Sequence, residues 1–201
     1  MHPSFSSSTG VLIYLGDRSD TARVSGVIYT DYQSGPSSGR RAIPVYSVFG
    51  RAGNDVITTG PNAQVGLFGG IGADRLTGGG AADRLVGGPG SDRLFGGAGV
   101  DVASYADHAR AVQVDLRRAG PQGSVGERDF LYGIESVVGG PGRDVLTGNA
   151  APNTIDARAG NDTLNIAGGG ADTALCGPGF DTVRADLQDH LVACERVIRG
   201  G

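Results

Sequence analysis

The sequence has no Trp, no Lys, one Met and two Cys, and aromatic residues make up only 6% of its 201 residues. That length suits one domain or at most two, but so few large side chains exclude a large interdigitated core. Long apolar runs are missing too, so no segment has the length to cross a bilayer as a helix. An excess of positive charge is absent: the net charge is −4 and the pI near 5.3. That balance argues against a nucleic-acid partner, because binding to a phosphate backbone is driven by clustered cations. The opening stretch MHPSFSSSTG lacks the basic start and apolar core of a signal peptide, so either a signal has been removed or the chain is a piece of a longer one. The His residues, at 2, 108 and 190, are scattered without zinc-ligand spacing, and there is no P-loop. The G-x-S-x-G string GPSSG at 35–39 falls in a Ser/Gly/Pro turn between strand-like runs rather than in a strand-to-helix elbow. No catalytic constellation is expected.

What the chain has in excess is Gly and Asp. Gly is 37 of 201, about 18% against a usual ~7%, and 18 of the 21 acids are Asp while all 17 bases are Arg. The glycines are periodic. Residues 69–77 read GGIGADRLT, 78–86 GGGAADRLV, 87–95 GGPGSDRLF and 96–104 GGAGVDVAS. The frame extends back through GRAGNDVIT (50–58) and a decayed GPNAQVGLF (60–68), with Thr59 inserted. It returns with GGPGRDVLT (139–147), GNAAPNTID (148–156), ARAGNDTLN (157–165), AGGGADTAL (167–175) and CGPGFDTVR (176–184), with Ile166 inserted.

Each unit has two parts. The Gly-rich half must turn sharply, which Gly does without a Cβ clash, and the half Asp-x-apolar-x reads as a short strand with one inward side chain between two outward ones. Ile57, Leu67, Leu76, Leu85, Leu94, Leu146, Ile155, Leu164 and Val183 take the inward slot, with Ala103 and Ala174 as smaller fillers. Two units then make one coil of a flattened solenoid, and strands on one face lie eighteen residues apart. The outward Arg75, Arg84 and Arg93 read as charge that keeps the face soluble, with an acidic glycan surface as the alternative.

The units resemble the GGxGxDxUx nonapeptides of the repeats-in-toxin (RTX), or hemolysin-type calcium-binding repeat, family. That resemblance implies an all-β fold, a parallel β-roll solenoid, with several Ca²⁺ ions held between coils by Asp carboxylates and backbone carbonyls. Elementary electrostatics points the same way. Neighbouring strands are about 4.8 Å apart, so Asp55, Asp74 and Asp92 are expected to stack on one edge and Asp83 and Asp101 on the other. Asp144, Asp162 and Asp181 would line an edge of the second block, with Asp172 and the neutral Asn153 opposite. Two carboxylates at that spacing repel by about 3.5 kcal/mol at an effective dielectric near 20, and a hard cation taking six to eight oxygens removes the repulsion. Val65 fills an Asp slot and is expected to spoil the pocket shared with Asp83. Ala81 and Ala151 replace the fourth-position Gly, which puts their turns in question.

Four regions follow. Residues 1–48, with strand-like runs at 11–15, 24–30 and 42–48 and a turn at 34–39, are expected to form a short N-terminal β cap or a separate binding module. Residues 49–104 form the first β-roll block. Residues 105–138 read as an irregular wider coil that continues the solenoid, or as a linker between two rolls. Residues 139–201 form the second block. Its Cys176 and Cys194 lie one coil apart, at a spacing that accepts a disulfide, with free thiols as the alternative. Asp186 and Asp189 read as solvated acids, with an added metal ligand as the alternative.

The expected function is a secreted, extracellular, bacterial calcium-binding β-roll, non-enzymatic, that folds on Ca²⁺ and serves a structural or interaction role. Its partners are calcium ions, with no nucleic acid, no membrane span and a cell-surface or glycan partner left open. The alternatives are an accessory module of a larger RTX-type hydrolase or toxin, and a calcium-dependent adhesin or glycan-binding matrix component. The end CERVIRGG lacks the acidic and apolar tail that the family resemblance implies for a secretion signal, which favours export by an ordinary signal peptide.

Overall fold

The computed structural model describes residues 11–24, 27–32 and 39–200. The first ten residues, and the turn expected at 34–39 apart from Gly39, lie outside the described residues. Each Asp-x-apolar-x segment is too short to pair back on itself, and each Gly-rich turn sends the chain to the opposite face. A strand therefore pairs with the one two units on, and the chain is a parallel β-roll with no helix among the described residues.

The chain opens with β1 (Val11–Tyr14) and β2 (Thr21–Val24), followed by a hairpin of β3 (Val27–Tyr32) and β4 (Gly39–Ala52). The first block carries β5 (Val56–Thr59), β6 (Gly66–Ile71), β7 (Arg75–Thr77), β8 (Arg84–Val86), β9 (Arg93–Phe95) and β10 (Val102–Ser104). The interruption holds β11 (Val112–Asp115), β12 (Gly123–Ser124), β13 (Phe130–Tyr132) and β14 (Ser136–Val138). The second block holds β15 (Val145–Thr147), β16 (Thr154–Asp156), β17 (Thr163–Asn165), β18 (Thr173–Leu175), β19 (Thr182–Ala185), β20 (His190–Val192) and β21 (Arg196–Arg199).

One face is a single sheet in the order β1-β4-β6-β8-β10-β14-β16-β18-β20, with β3 hydrogen-bonded to β4. The other face is divided between β2-β5-β7-β9-β13 and β12-β11-β15-β17-β19-β21. The register sets like on like: Leu67 pairs with Leu85 and Leu85 with Ala103, Leu76 with Leu94, and Leu146 with Leu164. The inserted Thr59 and Ile166 are absorbed where the offset becomes 19, as between Ile57 and Leu76 or Leu164 and Val183. Every inward residue expected from the repeats, from Ile57 through Val183, is at most 1% exposed. Removing a Leu or Ile side chain from water stabilises by roughly 1.5–3 kcal/mol, so this double row is the core.

The roll begins earlier than the repeats. β1 pairs in parallel with β4, and β2 with β5, so residues 11–24 already form a coil. β4 runs through residue 48 without a break, and the boundary read there from sequence marks a change in repetition rather than in the backbone.

Within 105–138 the two faces fall out of step. On the single sheet Ala103 pairs directly with Val137, one ordinary strand spacing. On the other face the chain first runs ahead as β11, whose Val114 pairs with Leu146 of the next coil. It then reverses in the antiparallel β12, crosses the Gln122–Asp129 bridge and comes back as β13, whose Leu131 pairs with Leu94 of the coil before. Tyr105, Val112, Val114, Leu131, Ile134 and Val137 fill the extra width, each at most 8% exposed. The uninterrupted sheet is what carries one block into the other. At the far end a disulfide joins Cys176 to Cys194, with Cα atoms 5.2 Å apart on adjacent coils.

Two outcomes test this core. Leu85→Ala should lower the stability of the folded roll by about 2–5 kcal/mol, read from the midpoint of denaturant unfolding, whereas Val125→Ala, at an 86% exposed position, should leave it within about 0.5 kcal/mol. Reduction of Cys176–Cys194, which closes an 18-residue separation, should cost about 3 kcal/mol by loop entropy, and unchanged melting after reduction would contradict it.

Candidate metal centre

The site grows from the sixth position of each unit. The Asp there precedes its strand and turns its side chain inward and back, over the first Gly of its own unit. A Cβ on Gly69 would collide with the Asp74 carboxylate, and one on Gly87 with that of Asp92. The first position of the unit is thus Gly because a carboxylate lies against it.

So placed, one oxygen of each carboxylate accepts a hydrogen bond from the backbone N–H of the sixth residue one coil earlier. Along the first edge the Asp20 N–H donates to Asp55 Oδ1 at 2.7 Å, Asp55 to Asp74 at 2.7 Å, Asp74 to Asp92 at 2.8 Å and Asp92 to Asp129 at 2.8 Å. Along the opposite edge Val65 donates to Asp83 at 2.9 Å, Asp83 to Asp101 at 2.8 Å and Asp101 to Glu135 Oε2 at 2.9 Å. That edge continues with Asn153 donating to Asp172 at 2.7 Å and Asp172 to Asp189 at 3.0 Å. In the second block Val112 donates to Asp144 at 2.9 Å, Asp144 to Asp162 and Asp162 to Asp181 at 2.7 Å each, and Asp181 to Glu195 Oε2 at 2.8 Å. The stacks expected from the spacing are all present, as ladders in which each rung holds the backbone of the coil before.

Four rungs escaped the repeat reading, Asp129, Glu135, Asp189 and Glu195. Each sits in a stretch whose glycines have decayed, yet each keeps the local signal of an acid followed at the second position by an apolar residue, as in Asp129-Phe130-Leu131 and Glu135-Ser136-Val137. Asp189, read as solvated, is 7% exposed and its Oδ2 accepts the Asp186 N–H at 2.6 Å. Ala81 and Ala151 are not among the residues with positive φ, so their turns form without the fourth-position Gly.

The second carboxylate oxygen sets the chemistry. The Oδ2 atoms of Asp55, Asp74, Asp92, Asp101, Asp162, Asp172 and Asp181 are buried with no hydrogen-bond partner. Asp83 and Asp144 instead use theirs to accept the Gly79 and Gly140 N–H, each at 2.8 Å, and Asn153 presents a neutral Oδ1 to the Asn149 N–H at 2.6 Å. A buried carboxylate oxygen without a partner is costly. Burial accordingly lifts the carboxyls of Asp74, Asp101 and Asp162 to about 6. It lifts Asp92 to about 8, where the carboxylates of Asp129, Asp74 and Glu127 add repulsion against the N–H donated to it. Asp129 rises to about 6 for the same leading reason, and Asp83, Asp144, Asp172 and Asp181 are raised by burial as well.

A hard cation fits these oxygens. Ca²⁺ accepts a flexible set of six to eight oxygens, and unpartnered carboxylate oxygens beside Gly-rich turns supply both charge and carbonyls. Among the described residues no three His, Cys, Asp or Glu side chains converge on one point, so backbone carbonyls must complete any coordination shell. That composition suits Ca²⁺ better than a transition metal, which favours His and Cys.

The raised carboxyls fix the sign of the pH response without metal. An unfolded Asp titrates near 3.9, so between that value and the folded values of about 6 to 8 the folded chain holds more protons than the unfolded one. The contribution of these carboxyls to stability in chelator should therefore be greatest at or below about pH 4, fall as pH rises from there, and level off above the folded values of about 6 to 8. Saturating Ca²⁺, which requires deprotonated ligands, should flatten or reverse that slope; parallel slopes with and without Ca²⁺ in thermal melts would show that the metal does not meet these carboxylates.

Comparison of the sequence with curated proteins gives no match. Comparison with protein families matches the RTX calcium-binding nonapeptide repeat (4 copies) at residues 47–62, 68–103, 131–164, 138–174 and 154–183. These segments span just over half of the chain and contain the Gly turns and most of the Asp rungs described above. A roll built of nine-residue coil halves, each closing on a buried Asp, and matched over that extent, places the chain in the family of RTX calcium-binding nonapeptide repeat proteins.

Proposed function

We propose that this protein is a secreted bacterial calcium-gated β-roll whose own task is structural or interactive rather than catalytic. The observation that carries the reading is the set of seven buried Asp Oδ2 atoms without partners. Asp55, Asp74, Asp83, Asp92, Asp101, Asp144, Asp162, Asp172 and Asp181 would supply charged ligands, and Asn153 a neutral one. Bound Ca²⁺ would replace carboxylate repulsion with bridging attraction between coils.

The magnitudes suit a switch set by location. Extracellular Ca²⁺ modules bind with Kd of roughly 10⁻⁴ to 10⁻³ M, so at ~1 mM Ca²⁺ each occupied site adds on the order of 0.4 to 1.4 kcal/mol. Several sites together approach the 5–15 kcal/mol typical of a whole domain. In a cytosol poor in Ca²⁺ the carboxylates repel, and outside the cell the roll closes. The disulfide Cys176–Cys194 agrees with an oxidising compartment.

A constellation that resembles acid–base machinery supports the non-catalytic reading. His108 has Nδ1 2.9 Å from Asp107 and Nε2 3.0 Å from Glu127, and it is 7% exposed. With both ring nitrogens engaged and the ring edge on Tyr105, it ties the widened coil together and leaves no nitrogen for a substrate.

A far-UV circular dichroism titration from chelator to millimolar Ca²⁺ should show a cooperative gain of β signal and a higher melting temperature, with Mg²⁺ ineffective. Asp92→Asn should raise the Ca²⁺ midpoint. A spectrum and melting temperature indifferent to Ca²⁺ would sink the reading.

A further inference from the structure

The net charge of −4 conceals a separation of signs. Among residues whose side chains are described, eleven Asp are buried, whereas the exterior carries fifteen Arg against nine acids. With the interior carboxylates neutralised by ions, the surface that a partner meets is positive. The sequence-level argument against polyanions applies to the whole chain and not to this surface.

The positive charge has a platform. The sheet β2-β5-β7-β9-β13 turns outward Thr21, Arg23, Val56, Thr58, Arg75, Thr77, Arg93, Phe95, Phe130 and Tyr132, with no acid among them. Arg75 and Arg93 are direct cross-strand partners, both exposed, and neither joins an ion pair among the described residues. Like charges directly opposite are destabilising. What relieves them is aromatic: the Arg75 guanidinium lies 4.1 Å from the Phe95 ring centre and that of Arg93 5.8 Å from Phe130. Phe95 in turn stacks on Tyr132 at 4.9 Å and 9°, and Tyr132 is 41% exposed. Of the other two sheets, that of β11 through β21 carries Asp115 with Arg117 and Arg118 paired to it and has no such aromatic group. The long single sheet stacks Tyr14, Phe49 and Phe68 with Arg51 over Tyr14, but without a directly opposed Arg pair and with the outward acid Asp156 among its strands.

We propose that this face binds an acidic polysaccharide, its carboxylate or sulfate groups on Arg75 and Arg93 and a sugar ring against the exposed Tyr132. Guanidinium is the side-chain group that meets carboxylate and sulfate with paired N–H donors, and an aromatic ring face beside it offers the apolar surface that a sugar's C–H face requires. The straight, parallel column of the sheet suits an extended chain. The proposal rests on the calcium-closed roll, because only in that state are the coils carrying Arg75, Arg93 and Tyr132 in register and the interior charge cancelled.

The test uses the full chain at ~1 mM Ca²⁺, with binding measured to oligogalacturonate, dextran sulfate and neutral dextran, and to duplex DNA and anionic phospholipid vesicles. Binding to the carboxylated or the sulfated probe, and not to neutral dextran, is expected, and which of the two binds identifies the anionic group. Arg75→Gln and Arg93→Gln should each weaken it by roughly tenfold, and Tyr132→Ala should weaken glycan binding further, while Arg184→Gln and Arg196→Gln on the other sheet should not. No binding by a folded roll, equal losses from both pairs of Arg variants, or preference for DNA or vesicles would overturn the proposal. Circular dichroism on the same samples separates the two failures: a chain that stays unfolded in Ca²⁺ overturns the calcium reading and this one with it, whereas a folded chain that binds nothing overturns this one alone.

Discussion

A parallel solenoid in register places each residue on its own counterpart one coil away, at a strand spacing of about 4.8 Å. Everything else in this structure follows from how each residue type tolerates that arrangement. For Leu on Leu it is favourable, and the double row from Ile57 to Val183 forms a core without any large aromatic side chain. For Asp on Asp it is unfavourable, and the fold meets part of the repulsion through one oxygen, which accepts a backbone N–H from the neighbouring coil, while at seven of these Asp the other oxygen is buried without a partner. For Arg75 on Arg93 it is unfavourable again, and aromatic faces and solvent take up the strain.

The hydrogen-bonded half of each carboxylate makes the Asp a structural part of the roll even before metal is considered. Each rung fastens the entry of one strand to the turn of the next coil, which accounts for the persistence of an acid at Asp129, Glu135, Asp189 and Glu195 where the glycines have gone. Under the proposed calcium-bound state, a cation would convert a tolerated arrangement into a favoured one. The buried charges that oppose folding without Ca²⁺ would then stabilise the roll, and the exterior among the described side chains is dominated by Arg.

The repeat blocks were largely legible in the sequence because their physics is local. A nine-residue unit states its own turn, its Asp and its inward residue, and repetition supplies the register. The coil at 105–138 was less so. Val112, Val114, Leu131 and Val137 announce strands, but nothing in their order says that β11 runs ahead to pair with β15 while β13, later in the chain, returns to β9. That reversal depends on partners more than thirty residues away. The coil at 11–24 was obscured in the same way, since its pairing with β4 and β5 crosses an intervening hairpin.

By itself the sequence determined the period, the parallel roll, the inward row, the stacking of Asp on Asp and the chance of a Cys176–Cys194 bridge, because each of these is set by spacing along one chain. The tertiary structure decided which decayed units still act as rungs, which carboxylate oxygens are left without partners, and on which side of the sheets each charge lies. Composition adds charges without regard to place, and only the fold separates eleven buried Asp from the Arg outside.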